Sequence, residues 1–227
     1  MRKVVRSWLY LIPFIVLLAG AGMAYGQAPV LGKDYQVLNP PQPTDSGNKV
    51  EVLDFFWYGC PHCAHLVPYL DKWLKHKPAD VDFKHQPAAF QDSWLQLART
   101  YYTFEALGLV SKLHDQLFDA IHIQHTLNPA ILARDPSSLF DWVASKGVNR
   151  KKFVDAYNSF GVVSRTQRTI DRTLRYDIQG TPTLVIDGRY LTAPSMTLKP
   201  DGTIDYDRFF RVVDDLIAMA RKNHGRK

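Results

Sequence analysis

Cysteine is nearly absent: the chain of 227 residues holds only Cys60 and Cys63, two residues apart. That scarcity excludes a structural disulfide framework. His65 would add a third ligand to the two sulfurs, but a structural zinc site needs four and there is no second cysteine pair. Covalent haem attachment requires histidine directly after the second cysteine, where Ala64 stands. An inert crosslink is a poor reading as well, because a two-residue loop constrains little of the unfolded chain. What remains for the pair is redox chemistry.

Other absences narrow the class. There is no internal repeat and no low-complexity tract. The most apolar run, about Trp8 to Leu18, is shorter than the roughly 20 residues of a membrane-spanning helix and contains Pro13. With Arg2, Lys3 and Arg6 before it and small residues at 19–26 after it, this run reads as a secretory signal peptide, residues 1–26, cleaved near 24–26. No cysteine stands directly after that site, which argues against a lipoprotein. Acid is also missing before Asp34, so removing the leader takes the formal net charge of +6 to about 6 − 3 = +3. Basic residues in 146–152 and 165–175 lack interleaved stacking aromatics, so they read as solvated helix faces and no nucleic-acid partner is expected.

The organisation predicted for the rest is βαβ, then helices, then ββα. Residues 29–48, rich in Pro, Gly and Asn, are expected to wrap the surface. Lys49 to Phe56 forms a short, nearly continuous apolar run and predicts a buried strand. Leu66, Val67, Leu70, Trp73 and Leu74 follow at helical spacing, with Pro68 as an expected kink, and Val81 to Pro87 predicts a second, parallel strand. Helical stripes follow at Trp94–Tyr102, at Leu113–Ile121 and at Leu139–Val143, the last with Asp135 as its N-cap and Pro136 at its first position. Phe153, Ala156 and Tyr157 and then Val163, Ile170 and Leu174 continue the pattern. Asp187-Gly188 predicts the turn of a hairpin between Thr183–Ile186 and Arg189–Thr192, and a last helix starts at about Tyr206. The expected class is α/β, a thioredoxin fold in two parts, 27–92 and 177–227, around an inserted helical domain at 93–176.

Three groups of residues carry the candidate chemistry. Cys60-Pro61-His62-Cys63 follows a strand and opens a helix, where unpaired N–H groups stabilise the Cys60 thiolate. His62 is expected to add to that, when protonated or when donating a hydrogen bond, and Pro61 to pre-set the turn. Gly180-Thr181-Pro182-Thr183 precedes the returning strand; with a cis bond before Pro182, Thr181 would turn its backbone groups toward an extended substrate beside Cys60. Asp54 and Lys84 are ionisable residues inside predicted buried strands, and are expected to pair beneath the cysteines and relay protons. His76, His114, His122 and His125 are assigned no role.

Phe55 to Cys63, the helical insert and Gly180-Thr181-Pro182-Thr183 together resemble the DsbA family of bacterial periplasmic disulfide oxidases, over essentially the whole mature chain. The resemblance implies a periplasmic enzyme that donates its Cys60–Cys63 disulfide to newly exported, cysteine-containing proteins. It implies no further cofactor and reoxidation by a DsbB-like membrane partner. It makes Cys60 the exposed, attacked sulfur, Cys63 its buried partner and Pro182 the facing cis-proline. Asp54 then matches the family's buried Glu, and Lys84 approximately its buried Lys. Thr181 departs from the Val of the best-known members and is shared with reductases and isomerases of the same fold, which form the alternative. Isomerases of this type generally need a dimerisation domain, for which the stretch before Lys49 leaves little room, so a monomer is expected.

Overall fold

The computed structural model of the protein describes residues 28–224. The expected signal peptide lies outside the described residues. A two-residue strand, β1 (Gln36–Val37), precedes β2 (Val50–Phe56), helix α1 (Pro61–Leu74) and β3 (Val81–Pro87). The chain then forms α2 (Leu95–Ala106), α3 (Val110–His122), α4 (Pro129–Leu132), α5 (Ser137–Ser145), α6 (Arg150–Tyr157), α7 (Phe160–Gln167) and α8 (Thr169–Arg175). It ends with β4 (Thr183–Ile186), β5 (Tyr190–Thr192) and α9 (Tyr206–His224). The sheet order is β1-β5-β4-β2-β3; β2 and β3 are parallel and the other neighbours antiparallel. This is a thioredoxin-like α/β fold with helices interposed between β3 and β4.

Strand β2 is buried along its whole length, because helices or loops cover both faces of the sheet, and that explains its unbroken apolar run. Val50 and Val52 face α1 and α9, packing with Leu66, Leu70, Phe209 and Val213. Leu53 and Phe55 face the other way, onto Leu38, Tyr176 and Ile178. A third cluster joins Phe56 and Tyr58 to the interposed helices, through Leu113, Leu117, Phe118 and Phe153 among others, and it includes Cys60 and Cys63. The cysteines thus stand at the seam between sheet and helices. Among the described residues, no helix is long and apolar enough to cross a membrane.

Asp187 and Gly188 both adopt positive φ, 56° and 60°, the pairing a type I′ hairpin turn requires. Glycine is needed there for a second reason: a Cβ on residue 188 would stand 2.1 Å from the Gln42 carbonyl oxygen. That close approach belongs to the 29–48 stretch, which does more than wrap the surface, since β1 pairs with β5. A strand of two residues is too short to carry a readable period.

Two helical details also differ from expectation. Helix α5 starts at Ser137 with Pro136 as its N-cap residue, while the Asp135 carboxylate accepts from the Ser137 N–H at 2.9 Å. At 160–175 the chain forms two helices meeting at Arg168, and the buried face is Val162, Thr166, Thr169 and Thr173, with Leu174 exposed. The three threonine hydroxyls satisfy themselves by donating to the carbonyls four residues back. A face built from such threonines is nearly invisible to a hydrophobicity pattern.

Candidate active site

β2 ends at Phe56 and the chain turns through Trp57, Tyr58 and Gly59, with the Cys60 N–H donating to the Trp57 carbonyl at 2.9 Å. The Trp57 ring folds over Gly59, where any Cβ would meet it at 2.4 Å. It stacks on Trp94 at a centroid distance of 3.9 Å. Cys60 is the N-cap residue of α1, in extended conformation, and Pro61 takes the first helical position, where a missing N–H leaves no helical bond unmade.

The two sulfurs, both free thiols, are driven in opposite directions. The Cys60 pKa is lowered to about 5, chiefly by a hydrogen bond from the Cys63 thiol. Burial opposes the shift, while the Thr181 side chain and the backbone N–H groups of Cys63 and His62 add to it. The Cys63 thiol is pushed well above its ordinary value by burial, by the Cys60 sulfur and by the charge of Asp54. The expectation of an exposed Cys60 needs correcting: it is 8% exposed against 3% for Cys63. Its Sγ lies 3.2 Å from the Thr181 carbonyl oxygen, to which the thiol form donates.

The Thr181–Pro182 bond is cis, and the Thr181 carbonyl lies beside the Cys60 sulfur. His62 is exposed, and the contact it makes with the Cys60 sulfur is through its backbone N–H. A groove of about 570 Å3 runs from His62 past Thr181 and Pro182 to Leu191, Met196 and Ile204.

The Asp54–Lys84 pair is not formed. In the parallel register, Asp54 stands opposite His85 and Leu53 opposite Lys84, and successive residues of a strand point to opposite faces. Lys84 therefore leaves the Cys63 side and binds Asp45, Ser46 Oγ (2.9 Å) and Glu51 Oε2 (3.0 Å), with Asp82 at 3.2 Å. Asp54, on the cysteine side, instead pairs with His85, Nδ1 to Oδ2 at 3.0 Å.

His85 and His114, neither of which the sequence reading placed in the site, belong beside it. Their rings lie 4.2 Å apart, His114 Nδ1 meets the Tyr58 hydroxyl at 2.8 Å, and His122 Nε2 donates to the Tyr58 carbonyl at 2.7 Å. Burial, with His85 alongside, holds the His114 pKa well below its ordinary value. The signals that could have found them are the strand register for His85 and, for His114, its place in the buried stripe with Leu113, Leu117 and Phe118.

Comparison with known proteins agrees with this geometry. The pattern of the DSBA-like thioredoxin domain matches residues 51–201. The thiol:disulfide interchange protein DsbA of Burkholderia cepacia is 40% identical over 188 residues, 82% of this chain and 86% of that protein. DsbA of Pseudomonas aeruginosa is 35% identical over 159 residues, 70% of this chain and 73% of its own. The crystal structure of oxidoreductase DsbA from Xylella fastidiosa superposes with a TM-score of 0.77 at 31% identity, covering 86% of this chain and all of that one. That of Pseudomonas aeruginosa DsbA gives 0.75 at 33%, covering 88% and 97%. A helix-capping thiolate opposite a cis-proline, in a thioredoxin-like sheet with interposed helices, together with these likenesses, places the chain in the DsbA family of thiol:disulfide interchange proteins.

Proposed function

We propose that the protein, exported to the periplasm, donates its Cys60–Cys63 disulfide to newly exported proteins. The observation that carries this reading is the Cys60 sulfur, held as a thiolate with a pKa of about 5. A thiolate stabilised in the reduced form makes the disulfide easy to reduce and makes Cys60 a good leaving group. A substrate thiolate attacks Cys60, the S–S bond breaks, and Cys63 takes the electron pair and a proton. A second substrate thiolate then attacks the substrate sulfur of the mixed disulfide and expels Cys60. The substrate gains a disulfide and the enzyme ends as the dithiol.

Thr181 and Pro182 would bind the substrate backbone by strand pairing, with the apolar groove beyond them receiving neighbouring side chains. Asp54, buried and acting on Cys63, would exchange the proton of that thiol. Reoxidation falls to a DsbB-like membrane partner. The Thr181 hydroxyl favours a second reading, a reductase or isomerase on the same scaffold.

The deciding experiment is the reduction potential of the pair in glutathione buffers. A value far above the about −270 mV of thioredoxin is expected, with oxidation of a reduced, unfolded substrate lost in Cys60→Ser. A value near or below thioredoxin's overturns the donor reading and leaves a reductase.

A further inference from the structure

Between β2, α1 and α3 lies a small cavity of about 10 Å3 bordered by Cys63, Asp54, His85 and His114. That is on the order of the space one water molecule needs. One oxygen of Asp54, Oδ2, is held by His85, and the other, Oδ1, is buried with no partner among the described residues. The Asp54 side chain is 5% exposed and that of His85 16%, so the route from Cys63 toward solvent runs outward through the imidazole. Asp71 of α1 and Asp115 of α3 border the same cavity, and the Tyr101 ring of α2 packs edge-on against His85 at 6.2 Å.

We propose that His85 is the positioning residue of this relay: it orients Asp54 toward Cys63 and passes the proton of the Cys63 thiol between Asp54 and solvent. The inference rests on the proposed role of Asp54 as the proton exchanger. Lys84, one residue earlier, is on the wrong face to serve. His114 borders the device: its buried ring, tied to the Tyr58 hydroxyl, lies tilted against that of His85 with the centroids 4.2 Å apart, and burial holds it in the neutral form.

In disulfide donation, Cys63 leaves with the electron pair and takes, through the cavity, the one proton that the Nδ1–H of His85 imidazolium delivers by way of the Asp54 carboxylate. The imidazole left behind regains a proton from solvent. When the dithiol is reoxidised, the same proton moves outward as Cys63 attacks the mixed disulfide at Cys60. The unprotonated Nδ1 of the His85 imidazole then receives it from Asp54 and passes it to solvent.

The test uses the reduced full protein mixed with oxidised glutathione, following by acid quench and mass spectrometry the rate at which Cys63 expels glutathione from Cys60. His85→Gln keeps a donor for Asp54 but cannot carry a proton. It should slow the step at neutral pH at least about tenfold and be accelerated by imidazole buffer in proportion to its concentration, as wild type is not; His85→Asn serves if the glutamine variant does not fold. A histidine variant that keeps the wild-type rate, or one that is slowed but that imidazole buffer does not accelerate, overturns the inference. Asp54→Asn separates the two levels: if it is slowed while His85→Gln behaves as wild type, only the His85 inference falls. If Asp54→Asn matches wild type, the Asp54 reading falls with it.

Discussion

Cys60 and Cys63 are the same chemical group on one turn of α1, yet Cys60 is lowered to about 5 and Cys63 raised well above its ordinary value. The difference is position: the first sulfur caps the helix and collects hydrogen bonds, while the second lies under it beside a buried carboxylate. Thiolate absorbance near 240 nm in the reduced protein should titrate with a midpoint of about 5 and vanish in Cys60→Ser. Thr181→Val removes one of the hydrogen bonds on the thiolate. Bonds to charged groups are worth about 1.5–3 kcal/mol, so that midpoint should rise by about one pH unit or more. An unchanged midpoint would show that the Thr181 hydroxyl does not hold the sulfur. At this scale the sequence made Cys60, Cys63 and the Thr181–Pro182 pair legible, because motif spacing and chain order are local. The partner of Asp54 was not legible, since it depends on which residue the neighbouring strand presents.

At the scale of elements, β2 and α9 could be read because burial leaves an apolar run or stripe. β1 could not, and the α7–α8 face was misread because threonines that bond their own backbone replace the aliphatic stripe. Helix α6 has a cap that can be tested directly: the Asn149 side chain accepts from the Lys152 N–H at 2.9 Å. Asn149→Ala should lower stability to urea by about 1 kcal/mol. Because the cap is remote from the sulfurs in sequence and touches none of the site's residues, the thiolate titration should stay in place. A shift of that titration would mean that α6 is coupled to the site more closely than its contacts indicate.

At the scale of the whole molecule, the cysteines and the interposed helices share one apolar cluster, so the insert should unfold together with the sheet. Phe153 of α6 is fully buried in that cluster, and Phe153→Ala should cost about 3–5 kcal/mol. Tryptophan fluorescence and far-ultraviolet circular dichroism should still report a single transition; two separate transitions would show that the insert is an independent unit. Redox state should also set global stability. The folded pKa of Cys60 is depressed from the ordinary 9.0 to about 5, so its stabilising contribution in the reduced protein is lost as pH falls through 5 and grows up to 9. Cys63, raised, is neutral in both folded and unfolded chains below 9 and opposes only above it. At pH 7 the Cys60 contribution is on the order of 3 kcal/mol. The oxidised protein has no thiol to titrate. The urea midpoint of the reduced form should therefore gain on that of the oxidised form from pH 5 to 8, and parallel curves would contradict the assigned thiolate.

The sequence by itself determined the chemistry on offer: two cysteines alone, spaced to open a helix after a buried strand, and a Thr-Pro before the strand that returns. These are local facts, written in residue spacing and in apolar runs. Only the tertiary structure decided what surrounds the sulfurs. The parallel register of β2 and β3 turned Lys84 away and brought His85 to Asp54, and the packing of α3 against the sheet delivered His114 and His122 to Tyr58. The physical reason is that side chains alternate faces at every residue of a strand. A shift of one position along β3 exchanges which ionisable group lies beneath the active site.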